Sequence, residues 1–139
     1  MGRSKGGFSS KIHVACVDEL HVIEVRLTSG QAGDAPVAGE ILQCVLKIPQ
    51  VESVIADRAY DANSIRSQIK EAGKCAVIPS TRNRKIPLPY SKTQYKERNR
   101  VERFMNRIKQ YRAIATRYDK LAVMFVGLLT LTLIAISCR

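Results

Sequence analysis

Glu102 is the residue around which chemistry is most readily built. It stands in Tyr95-x2-Arg98-x3-Glu102-x6-Lys109, where a phenol, a carboxylate and two cations recur at near-helical spacing. At 100° per residue the four fall within about 60° of one helix face. The plain alternative is an i, i+4 Arg–Glu pair on a solvent-facing helix. Asp57 is the second candidate. It closes the apolar run Val51-Glu52-Ser53-Val54-Ile55-Ala56, so its carboxylate would emerge at the carboxyl end of a strand, where α/β sheets place their sites. A turn or cap role is its alternative, but Asp61 suits a cap better and leaves Asp57 for other work. Two carboxylates held close repel unless a cation sits between them. Magnesium takes such oxygen ligands, keeps positions open for water and phosphate oxygens, and in pairs assists in-line displacement at phosphorus. The residue types therefore suggest phosphoryl transfer on DNA.

The charge distribution points the same way. The chain of 139 residues carries 23 Lys+Arg against 12 Asp+Glu, a net +11. Residues 1–79 hold 9 charges of each sign, whereas residues 80–120 hold 13 basic against 3 acidic. Such a block attracts polyanions, because each cation seated on a phosphate releases condensed counterions. A solvated helix face would also be basic. The block is mostly arginine, however, which forks onto phosphate, and it interleaves Tyr90, Tyr95, Phe104, Tyr111 and Tyr118. Nucleic acid is the favoured partner.

The elements that must position these residues read as an α/β domain. Residues 1–9 are rich in glycine, serine and basic residues and read as a flexible lead-in. Lys11 to Val17 and His21 to Thr28 alternate as a hairpin around Asp18-Glu19-Leu20. Ala38 to Lys47 has helical spacing. Val51 to Ala56 reads as a buried strand, a helix capped by Asp61 follows with Ile65 and Ile69 on one face and Gly73 at its end, and Cys75 to Ile78 is another strand. Residues 80–92 are a basic loop, and a long basic helix is predicted from about Thr93 to about residue 115. On it Val101, Phe104, Met105 and Ile108 form a stripe that can face a sheet.

Hydrophobic residues make up 45% of the chain, which excludes intrinsic disorder. Cys16, Cys44, Cys75 and Cys138 are scattered and give neither a zinc ribbon nor a disulfide scaffold; buried thiols are expected. His13 and His21 read as strand residues, with no ligand spacing. No signal peptide is visible, which points to the cytoplasm. The apolar tail, a helix predicted at 118–138 with Asp119 as its cap, includes 16 uncharged residues from Leu121 to Ile136. A bilayer span needs about 20, so a packed terminal helix is preferred to a membrane anchor.

The signature Tyr95-x2-Arg98-x3-Glu102-x6-Lys109 resembles the Y-(2)-R-(3)-E-(6)-K motif of bacterial insertion-sequence DDE transposases. The resemblance extends, in order, through Gly2-Arg3-Ser4-Lys5-Gly6-Gly7, Lys11-Ile12-His13, Leu27-Thr28-Ser29-Gly30-Gln31, Ala56-Asp57-Arg58-Ala59-Tyr60-Asp61 and Arg117-Tyr118-Asp119-Lys120-Leu121, almost the whole chain. It implies a ribonuclease H-like, retroviral integrase-like mixed sheet with flanking helices, truncated at its N-terminus. It also implies magnesium or manganese as cofactor, with Asp57 as the second metal-binding aspartate and Glu102 as the glutamate of a catalytic triad. Tyr95, Arg98, Arg103, Arg107 and Lys109 would contact DNA, Lys109 at the transposon end.

The family's first aspartate lies upstream of the lead-in at which this chain starts, and Asp18, in the hairpin turn, does not replace it. An N-terminal DNA-binding region is not in the chain either. The whole of 1–139 thus reads as a single partial catalytic domain: the downstream frame of a split or frameshifted transposase, or a decayed remnant. The expected reaction is cleavage of transposon ends by water and joining of 3′-hydroxyls to target DNA. The isolated chain is expected to be weak or inactive. The expected partners are transposon-end and target DNA with an upstream transposase part or a homo-oligomer, in the cytoplasm at the bacterial nucleoid. The rival from another class is a non-catalytic DNA-binding remnant that inhibits transposition.

Overall fold

The computed structural model describes residues 2–4, 7–18, 20–112, 114 and 122–138. Arg117 to Leu121, with the predicted Asp119 cap, lie outside the described residues. The chain divides into two compact units, Met1–Gln31 with Asn99–Arg139, and Ala32–Arg98. Both mix helix and strand.

The first unit carries an antiparallel sheet in the order β1 (Gly2–Ser4), β2 (Gly7–Cys16), β3 (Val22–Ser29). The predicted hairpin is β2–β3, with Ile12 opposite Leu27 and Val14 opposite Val25. Part of the expected flexible lead-in is instead paired strand: Gly2 lies opposite Ser9 and Ser4 opposite Gly7. Once β2 exists, its edge offers those backbone groups a ladder that composition does not reveal. The turn between β2 and β3 is tied by Asp18, whose Oδ1 accepts from the backbone N–H groups of Leu20 and His21. His21 Nδ1 also bonds to this carboxylate at 2.9 Å, so the residue belongs to the turn rather than the strand. These donors, the His21 side chain first, lower the Asp18 pKa to about 2.

Two helices, here α4 (Asn99–Lys109) and α5 (Ala122–Ser137), complete this unit. Phe104 and Ile108 of α4 are buried with Phe125, Leu129 and Ile136 of α5, and Ile12, Val14, Val25 and Leu27 of the sheet pack against them. The predicted stripe on the basic helix therefore does meet strands. At 16 residues α5 is about 24 Å long by its rise, short of a bilayer core. Among the described residues no helix is long and apolar enough to cross a membrane. Thr130 and Thr132 satisfy their hydroxyls on the carbonyls of Val126 and Leu128, one turn back. These bonds allow two threonines within a largely apolar helix.

The second unit runs α1 (Asp34–Leu46), β4 (Ser53–Ile55), a 3-10 turn (Arg58–Tyr60), α2 (Asn63–Glu71), β5 (Cys75–Val77), α3 (Lys92–Tyr95) and a second 3-10 turn (Lys96–Arg98). Strands β4 and β5 are parallel, with Ser53 opposite Cys75 and Ile55 opposite Val77, so the predicted helix-crossover pair is present. Ala38 and Leu42 of α1, Ile65 and Ile69 of α2 and Ile78 form its core. Gly73 has φ +70°, and its N–H bonds to the Lys70 carbonyl while that of Lys74 bonds to Ile69. This is the glycine-ended helix terminus that the sequence predicts. The expectation of buried thiols fails at Cys75 and Cys138, which are exposed. Cys16 is half-buried, and burial pushes its thiol pKa up, with the Asp18 charge adding to the rise.

Candidate functional site

Asp57 follows β4 by two residues. Its backbone is extended, and its carboxylate accepts from the backbone N–H of Ala59 at 3.0 Å, so it caps the 3-10 turn Arg58–Tyr60. Its other oxygen lies 3.7 Å from Arg98 Nη2, a half-exposed ion pair between two residues singled out separately in the sequence. Tyr60 stands nearby, its pKa pushed up to about 12 by burial and by the Asp34 and Asp57 charges.

The expected division of labour between Asp57 and Asp61 is reversed. Helix α2 has Ala62 at its N-cap with no side-chain cap bond. Asp61 instead carries a fully buried carboxylate clamped by two guanidiniums. Its Oδ1 takes Arg66 Nε at 2.7 Å and Arg84 Nη2 at 3.0 Å. Its Oδ2 takes Arg84 Nε at 2.9 Å and the Thr81 N–H at 2.7 Å. Burial alone would raise this carboxyl's pKa, but the donors from Arg84, Thr81 and Arg66 outweigh it and hold it well below the usual carboxylate range. Arg66 also reaches the Ile78 carbonyl at 2.6 Å. The clamp joins the residues after Asp57 to the end of β5 and to the basic loop. Sequence reasoning missed Arg66 and Arg84: Arg84 comes from the basic loop across a long separation, and Arg66 reaches back from α2 at a spacing that is neither i+3 nor i+4.

The basic helix is not continuous. Tyr95 ends the four-residue α3, whose N-cap is Ser91, with the Ser91 hydroxyl accepting from the Gln94 N–H. Arg98 ends the 3-10 turn Lys96–Arg98, and α4 begins at Asn99. A 3-10 turn advances about 120° per residue rather than 100°, so the uniform helical net assumed for the motif does not run through it. Nor does α4 reach residue 115; it ends at Lys109. Tyr95 packs edge-on against Tyr90, with ring centroids 5.5 Å apart.

Glu102 sits in the first turn of α4, and Arg107 and Lys109 in its last. Both placements agree with the helix dipole. Glu102, Arg103 and Lys109 are exposed and Arg107 is half-buried. Glu102 and Lys109, seven residues apart, share the face opposite Phe104 and Ile108. Asp57 lies in the second unit and Glu102 in the first. Among the described residues no three or more His, Cys, Asp or Glu side chains gather as a metal-binding group. The Asp57 carboxylate has the Ala59 N–H and the Arg98 guanidinium beside it.

Residues 2–137 match the family described as Transposase DDE domain. The chain belongs to the insertion-sequence DDE transposases. Within that family a protein of Brucella ovis bearing the name "Putative transposase for insertion sequence element IS6501" is 35% identical over 136 residues, covering 94% of this chain and 99% of the relative. No solved structure matches this transposase domain.

Proposed function

We propose that this domain serves magnesium- or manganese-dependent transposition, cleaving insertion-sequence ends and joining 3′-hydroxyls to target DNA, with Asp57 and Glu102 as two carboxylates of a catalytic triad. Membership of the DDE transposases carries the reading. Its local support is the position of Asp57, just past the carboxyl end of β4 and beside Arg98 of the signature. In this reading Tyr95, Arg98, Arg103, Arg107 and Lys109 engage DNA, and the arrangement belongs to the ribonuclease H-like, integrase-like class. The antiparallel β1-β2-β3 sheet followed by the parallel β4–β5 pair is compatible with that class.

The partners in this reading are transposon-end and target DNA, with the upstream transposase part or a homo-oligomer. The reaction would take place in the bacterial cytoplasm, at the nucleoid. The family reading carries the divalent ion as a requirement, while the described side chains gather no ligand set for it. A second reading, a DNA-binding remnant that inhibits intact transposase without catalysis, rests on the basic block at residues 80–120 alone.

Strand-transfer assays on duplexes ending in the terminal inverted repeat separate the two. Metal-dependent joining that requires Asp57 and Glu102 supports the first. Salt-dependent binding indifferent to metal, with no cleavage in the presence of the upstream part, supports the second.

A further inference from the structure

The loop after β5 is fastened at several points by contacts that its composition does not reveal. Its start is held by the Asp61 clamp, through the Thr81 N–H and the Arg84 guanidinium. Its two sides are joined by Ser80, whose hydroxyl accepts from the Leu88 N–H at 2.8 Å. Its end is held where Tyr90 packs on Tyr95. Between these fastenings the loop presents charge and apolar surface together. Residues 80–96 include Arg82, Arg84, Lys85, Lys92 and Lys96 and no acid. Arg84 is turned inward to Asp61 and Asn63. Arg82 and Lys85 are exposed. Ile86, 76% exposed, stands between Lys85 and Pro87. An open cleft of about 470 Å³ lies alongside, lined by Asp61, Asn63, Thr81, Asn83, Lys85 and Ile86.

A fixed loop loses little further conformational entropy on binding. Cations beside amides suit a phosphodiester backbone, and an exposed isoleucine beside a proline is the kind of side chain that proteins press between base steps. We propose that the fastened 80–88 loop is a DNA-contacting arm, in which Arg82 and Lys85 take backbone phosphates and Ile86 lies against sugar and base. The proposal deepens the transposase reading and rests on it. It adds residues outside the signature set Tyr95, Arg98, Arg103, Arg107 and Lys109.

The test is duplex binding by the full chain, followed by fluorescence anisotropy across a salt series with a labelled duplex of about 20 base pairs. Each phosphate contact contributes about 0.9 to the slope of log affinity against log salt. Arg82→Ala with Lys85→Ala should therefore lower the slope by about 1.8 and weaken binding about tenfold or more at physiological salt. Ile86→Ser should weaken binding about tenfold with the slope unchanged. Urea midpoints like the wild type's, expected of exposed positions, show that the variants are folded. Wild-type affinity and slope in the Arg82/Lys85 variant, or wild-type affinity in Ile86→Ser, overturn the arm as stated. If the unsubstituted chain does not bind the duplex, the proposed DNA-contacting role of this chain's own residues fails as a whole, a result distinct from failure of the arm alone.

Discussion

Replacing Asp61 by asparagine keeps the side chain's shape and removes its charge. The carboxylate is wholly buried, and the guanidiniums of Arg66 and Arg84 are only 12% and 18% exposed. Three guanidinium N–H groups and one backbone N–H converge on it. An asparagine offers one acceptor oxygen and turns an NH2 group toward donors. Removing one partner of a buried ion pair costs about 3–5 kcal/mol, because the remaining charge stays buried without its counter-ion. Against a total stability of about 5–15 kcal/mol for a domain, the Asp61→Asn protein should remain folded but unfold at much lower urea.

The pH dependence is fixed by the direction of the shift. A carboxyl held below its ordinary value stabilises the fold fully above the unfolded pKa of about 3.9, and that contribution is lost as pH falls through the folded value. The wild-type advantage over Asp61→Asn should thus be constant from neutral pH to about 4 and shrink below it. Urea titrations of both proteins at several pH values measure this. A difference under about 1 kcal/mol at neutral pH, or one that persists undiminished in acid, would refute the clamp.

Other substitutions probe the rest of the structure. Phe104→Ala removes the largest fully buried side chain among the described residues, in the core of the first unit; a loss of about 3–5 kcal/mol in urea unfolding is expected. Gly73→Ala meets no atom within 4 Å, so its cost is that of the positive φ alone, about 1 kcal/mol. Ultraviolet titration should show a phenol ionising near pH 12 that Tyr60→Phe removes.

What was legible in the sequence was local. Alternation at Ile12 and Val14 marked the hairpin, the spacing of Ile65 and Ile69 marked α2, and Phe104 with Ile108 marked the buried stripe of α4. Gly73 was readable because only a residue without Cβ ends a helix cheaply in that conformation. The errors were contacts across long separations. Arg84 meets Asp61 from 23 positions away, and no periodicity records that. Asp61 precedes a helix and so reads as its cap, but its carboxylate is taken up by Arg66, Arg84 and Thr81, and the cap bond that does form is made by Asp57 to the Ala59 N–H. The motif from Tyr95 to Lys109 reads as one helix because its four residues share a face at 100° per residue. The packing of Tyr95 on Tyr90 and the pairing of Arg98 with Asp57 nevertheless accompany a break into α3, a 3-10 turn and α4.

The most direct measurement is metal-dependent cleavage of terminal-repeat DNA by the domain, reconstituted with the proposed upstream part, comparing wild type with Glu102→Gln. Loss of cleavage with duplex affinity within about twofold of wild type is expected, because Glu102 is assigned to the chemistry and the cations around it to the backbone. Cleavage that survives Glu102→Gln would contradict that assignment and, with it, the catalytic reading of the domain.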